Sequence, residues 1–282
     1  MSPGTLKAFP TLLRVGFADA LAYRAEFLVW ILSTNMPLVM LALWSAVARE
    51  HPIGGFGQAE FVAYYLSALI VRLLTGAWVA WEINYELRQG LLAFRLLRPI
   101  NPLIHFAAEN MAALPLRALF ALPIAAVSLW AMGAKMVTHD PALLGLFVVA
   151  VYGAWAINFL AQAIIGTLGF YVEYSISLWQ IWFGLYMLLS GYLIPLALFP
   201  GWLLAAARLL PFRYMLSFPV EVILGQHDRL QALEGLGIQW SIVAAMGLLL
   251  AAFWKAGMRR CIIVFWVTEY LLIIHCIFIK IN

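Results

Sequence analysis

Three arginines, Arg88, Arg95 and Arg98, fall within eleven positions of the stretch YELRQGLLAFRLLRPINPL (residues 85–103), in a chain that is only 11% charged. A guanidinium presents a planar fork of N–H donors suited to carboxylates and phosphates. Leu91, Leu92, Phe94 and Leu97 are interleaved with these arginines at helical spacing, and Pro99 and Pro102 end the run. From the residues alone, this mixture suits a basic, positive-inside loop lying on anionic headgroups. Elsewhere the residues that could do chemistry are sparse. His51, His105, His139, His227 and His275 stand singly, with no metal-ligand spacing. The sequence contains no G-x-x-x-x-G-K-[ST] phosphate loop, no H-E-x-x-H and no G-x-S-x-G. An enzyme active site is disfavoured, no cofactor is expected on this chain, and any uphill transport must draw its energy from another chain.

The elements that position these residues follow from composition. The 282 residues are 65% hydrophobic, with twelve Trp and a mean hydropathy of +0.95. Soluble chains are roughly 45–50% apolar and about 25% charged, so this is a polytopic membrane protein. A bilayer core of about 30 Å takes roughly 20 apolar residues per helix. Six stretches qualify, at 27–48, 60–82, 108–132, 142–170, 177–196 and 237–256, and the fold class expected is all-α. Ahead of them, Leu6, Phe9, Leu13, Phe17 and Leu21 recur at three-to-four-residue spacing, with Lys7, Arg14 and Asp19 elsewhere on the wheel. That suits an interfacial helix over residues 1–26, with a solvated leader as the alternative. No small-residue cleavage site precedes the first span, so a removed signal peptide is not expected.

Lysine and arginine placement orients the bundle. With the N-terminus in the cytoplasm, the inner segments hold Lys7, Arg14, Arg24, Arg88, Arg95, Arg98, Lys255, Arg259 and Arg260, while short outer loops carry one basic residue each. Trp78, Trp81, Trp179, Trp182 and Trp254 then gather near one face, as an interfacial aromatic belt does. A cargo-stacking role for Trp78 or Trp179 is the sharper alternative. Between the fifth and sixth spans, residues 196–236 are apolar but cut by Pro200, Pro211 and Pro219 into pieces too short to cross. Short re-entrant helices on the outer side are expected there.

Arg72 stands near the middle of the second span, where a guanidinium facing lipid costs about 2.5–3.5 kcal/mol on insertion scales. It calls for a wet cavity, a polar partner such as Asn158 or Gln162, or a shifted register that lets it snorkel. Arg117, nearer the end of its span, is expected to snorkel. Ser177, Gly184 and Gly191 repeat every seven residues and are expected on one helix face for close packing. Cys261 and Cys276, fifteen positions apart, would lie about 22 Å apart on one helix and cannot bridge.

In the stretches ALAYRAEFLVW (20–30), WEINYELRQGLLAFRLLRPINPL (81–103), SGYLIPLALFPGWLLAAARLLPFRYMLSFPVEVILG (190–225) and FWKAGMRR (253–260), the chain resembles permease subunits of ABC-2 type ATP-binding cassette exporters, in their six-helix branch. The resemblance implies a transmembrane domain over 1–260, with 83–104 as a cytosolic coupling segment. Arg88, Leu91, Leu92, Phe94, Arg95, Leu97 and Arg98 would contact a separate ABC ATPase subunit, present in two copies and carrying ATP and Mg. It further implies a second permease, identical or related, and a plasma-membrane location in a prokaryote (the inner membrane if Gram-negative). By analogy Arg72, Trp78, Trp179 and Gly184 would border the cargo path. Lipid is the surrounding partner, and nucleic acid is not expected. The alternative is a secondary transporter or channel without an ATPase; it would need coupling-ion sites or broken mid-membrane helices in two corresponding halves, and neither is legible. Residues 261–282 depart from the family pattern. A seventh span, an interfacial helix and shifted-frame sequence are the alternatives, and the latter two are favoured over a clean span because Glu269 would sit near mid-membrane.

Overall fold

The computed structural model of the protein describes residues 3–22, 36–49, 51–98, 100–131, 137–172 and 174–281. Among them the secondary structure is helical, with an isolated β-bridge between Ile53 and Phe56. Helix α1 spans Pro3–Ala22, α2 Met36–Val47, α3 Gln58–Thr75 and α4 Val79–Arg88. A short α5 (Leu92–Leu96) leads to α6 (Pro102–Ala112) and α7 (Leu114–Ala131). Helix α8 (Pro141–Thr167) is followed by α9 (Ser175–Leu189), then by α10 (Gly201–Leu209), α11 (Pro211–Met215) and α12 (Ser217–Ile223). Helix α13 runs from Arg229 to Ile281.

Local sequence explains where several of these begin. Asp140 accepts from the Ala142 N–H at 3.0 Å, with Pro141 in the first helical position. Asn101 accepts from the Leu103 N–H at 2.9 Å, again followed by proline. Each side chain satisfies a donor that the first turn leaves without an intrahelical acceptor, and each proline gives up none that was needed.

Helix α8 is the hub, touching α3, α4, α9, α11, α12 and α13. Small residues on it allow the close approaches. A Cβ on Gly153 would come within 2.5 Å of Gln239, whose amide donates to the Ala150 and Tyr214 carbonyls at 2.9 Å each. Two apolar cores flank this hub. One, around Phe61, Tyr65, Leu216 and Phe218, lies at the end carrying α10–α12. The other, around Ile83, Phe106, Trp155 and Trp254, lies toward the 83–104 segment.

Among the described residues three stretches are long and apolar enough to cross a membrane, Gln58–Arg88, Pro141–Phe170 and Arg229–Arg259; α2 and α9 are shorter apolar helices. The expected first span, 27–48, and the matching stretch at 20–30 lie partly outside the described residues. The expected fifth span, 177–196, is shorter in the structure: α9 stops at Leu189, because the chain turns at Gly191 with φ +87°. Gly191 is therefore off the face that carries Ser177 and Gly184, and its carbonyl accepts from the Tyr64 hydroxyl at 2.8 Å. Tyr65 and Trp44 donate to the Leu193 carbonyl in the same turn.

Residues 196–223 form pieces of three to nine residues, cut at Pro200 and Pro211 but not, as expected, at Pro219, which lies in the first turn of α12 after a break at Leu216. Residues 261–281 continue α13 without a turn after the sixth apolar stretch. A seventh span crossing back would need such a turn.

Candidate functional site

The long apolar stretch Gln58–Arg88 is not one helix. It breaks at Gly76–Trp78, between α3 and α4. A helix end leaves carbonyls without intrahelical donors, and in an apolar setting each such group costs several kcal/mol unless paired. Here three successive carbonyls find three side chains. Asn158 Nδ2 donates to the Thr75 carbonyl at 2.6 Å, Arg117 donates to the Gly76 carbonyl, and Gln162 Nε2 donates to the Ala77 carbonyl at 2.7 Å. On the far side of the break, Asn110 Oδ1 accepts from the Trp78 N–H at 3.4 Å, and its amide donates to Glu82 at 3.2 Å.

This overturns two expectations. Arg117 does not snorkel: it is 3% exposed, and its guanidinium serves a backbone carbonyl. Asn158 and Gln162, one helical turn apart on α8, bond the broken backbone rather than Arg72. The break itself was not legible either, since glycine and threonine inside an apolar run do not announce a helix end.

Arg72 lies one turn before the break. Its Cζ is 6.0 Å from the Phe183 ring and 5.7 Å from the Tyr186 ring. The Tyr192 hydroxyl faces the guanidinium, while its buried Nε has no hydrogen-bond partner. The cavity there, which Trp179, Trp182 and Asn158 also line, is only about 10 Å³. That is about the space of one water, so the site is shut around the guanidinium. Of the expected path residues, Arg72 and Trp179 meet in this cavity. Trp78 sits at the break and outside it, and Gly184 faces open space with nothing within 4 Å of a would-be Cβ.

Beyond the break, α4, α5 and α6 fold into a hairpin, turned at Gly90 (φ +72°). Arg95 is its internal tie. Its Nε lies 2.7 Å from both Glu86 carboxylate oxygens, its NH1 group is 3.0 Å from Glu109, and its Cζ sits 4.3 Å over the Phe106 ring. It also touches His105, whose Nε2 is 2.9 Å from Arg98. Burial opposes the Arg95 charge, but Glu86 and Glu109 outweigh it and hold the pKa above its ordinary value. Leu92 is buried at 3% exposure in the core with Ile83 and Phe106. Two of the seven expected docking residues are thus held inside the chain.

The other five point outward. Phe94 is 67% exposed and Leu97 is 82% exposed, with Leu91, Arg88 and Arg98 also at the surface. Arg88 lies 6.0 Å from the Tyr174 ring, and Tyr174 borders the same face. Glu86, inside the 85–103 stretch, and Glu109, just beyond it, were the available sign that one arginine would be consumed internally.

A family model for the ABC-2 family transporter protein matches residues 33–263. The chain belongs to that family. Comparison with curated proteins gives no match. This ABC-2 protein is accordingly the membrane permease of an ABC transporter, and the family makes it a membrane component rather than a catalytic one. The match ends within α13, so most of the 261–282 tail lies outside it.

Proposed function

We propose that this permease works in an ATP-driven exporter and that the hairpin around residues 83–104 docks on a separate ABC ATPase subunit. The observation that carries this reading is the hairpin's construction. Its charge is consumed internally at Arg95, while Leu91, Phe94 and Leu97 are left bare at the tip, beside Arg88 and Arg98. An exposed apolar cluster rimmed by cations on a rigid loop is what an acidic groove recognises. The capped break at 76–78 supports the same reading, because it separates the hairpin and α4 from α3 and gives motion at the tip a place to act.

ATP and Mg would bind the partner, in two copies, with a second permease completing the assembly. The N-terminus and hairpin would face the cytoplasm of a prokaryotic cell, and cargo would leave past Arg72 once its cavity opens. A cargo with an anionic or hydrogen-bonding group would suit that residue, and transport unchanged by Arg72→Ala would remove it from the path.

The docking reading is tested by co-purification in mild detergent. The wild type should retain an ABC ATPase, recognised by its phosphate-loop peptides, and Phe94→Asp with Leu97→Asp should lose it while eluting and unfolding as the wild type does. Equal retention by both proteins would reject the hairpin as the docking site. An ATPase absent from both would favour the secondary-transporter alternative.

A further inference from the structure

Between α1, α7 and α8 lies a cavity of about 660 Å³, far larger than the one at Arg72 and separate from the hairpin tip. Its wall is apolar: Leu74, Leu114, Ala118, Phe147, Val151 and Trp155 contribute, with Phe17 from α1. The positions on α8 from Phe147 to Trp155 extend it about 12 Å along the helix axis. Helix α1 is held across one end by a close contact, since a Cβ on Gly16 would come within 2.9 Å of the Ala112 side chain. At that end Arg14 lines the cavity, exposed and without an ion pair among the described residues.

We infer that this groove is a binding site for one anionic phospholipid, its acyl chain against α7 and α8 and its phosphate on Arg14. Water does not suit the space, because each water needs two to four polar partners and the wall offers few. The occupant must therefore be apolar along its length and negative at the end that meets Arg14. A protein that crosses the bilayer is bathed in molecules of that description. An arginine fork binds phosphate through paired charge-assisted hydrogen bonds, and an α1 lying in the interface, as its apolar periodicity predicts, would hold that fork at headgroup level. Gly16 against Ala112 keeps α1 close enough to roof one end without filling the cavity.

The test is native mass spectrometry of the full chain taken from vesicles of equal palmitoyl-oleoyl phosphatidylglycerol and phosphatidylcholine, which needs no ATPase. The wild type should retain phosphatidylglycerol in preference. Arg14→Ala should lower that preference about fivefold, the effect of one cation near a membrane surface. Arg14→Lys should keep most of it. Ala118→Trp, which fills the groove, should reduce retention of both lipids, and Arg49→Ala, an equal charge loss at the other end, should change nothing. Arg14 is exposed, so its variants test the idea even if Ala118→Trp folds poorly. Equal retention by the wild type and both Arg14 variants would leave only surrounding lipid and overturn the proposal. So would an Ala118→Trp variant that loses self-association but keeps its lipid, since a second copy would then be what covers the groove.

Discussion

Buried polar side chains in this protein serve mainly its own backbone. Arg117, Asn158 and Gln162 each donate to one carbonyl of the Thr75–Ala77 run, so each side chain removed leaves a carbonyl without its donor. Gln162→Leu should lower the unfolding free energy in detergent by about 1–3 kcal/mol, the cost of one buried unsatisfied group. Arg117→Leu should cost a similar amount, and thermal unfolding of the two variants checks both. Arg95 makes a comparable case outside the spans. Arg95→Ala should cost about 1.5–3 kcal/mol through its charged hydrogen bonds, and should raise hydrogen exchange across residues 86–109, whereas Arg98→Ala should leave that exchange near wild type. These roles were legible only in part. Sequence marked Arg72 as a charge that needed a cavity or a partner and offered Asn158 and Gln162 as candidates, while it read Arg117 as snorkelling. It could not identify their partners, because backbone carbonyls freed by a helix break carry no residue-type signal.

Among the elements, the apolar runs announced α3, α8 and the first part of α13, and Pro200 and Pro211 announced two of the breaks between residues 196 and 223, while the break at Leu216 carries no such mark. The end of α9 was misplaced by several residues, since LLSGYLIPLALF remains apolar through the turn and only Gly191 marks it. The short-helix region is held by Glu221, 2.7 Å from Arg213 and 2.9 Å from His227. Burial pushes the Glu221 carboxyl up, but hydrogen bonds from His227 and Arg213 outweigh it and hold the pKa below its ordinary 4.5. A carboxyl depressed on folding contributes stability above its unfolded pKa and loses it as pH falls through the folded one. Glu221→Gln should therefore unfold at lower temperature than wild type by a constant margin above about pH 5, and that margin should close on acidification below 4.5. A margin that is unchanged at low pH would mean the carboxylate charge is not what holds these helices.

Over the whole molecule, the two ends are built differently. At one, Tyr64, Tyr65 and Trp44 tie the 191–193 turn to α3 and α2, and the Glu221 cluster ties the short helices to one another. At the other, a rigid hairpin hangs from a helix that has been cut and recapped. The helices between them leave large apolar side chains uncovered, among them Leu248, Ile181 and Leu188, as lipid or a second permease requires. If the hairpin tip is where an ABC ATPase engages, a photoreactive amino acid at Phe94, irradiated in cells, should capture it, with the same group at Trp202 as the control. Trp202 is 74% exposed and lies in the short-helix segment at the opposite end. Position 94, and not 202, should cross-link to a protein carrying an ATP-binding cassette. A cross-link from 94 to lipid alone, or to the ATPase from 202, would rule out docking at the hairpin tip.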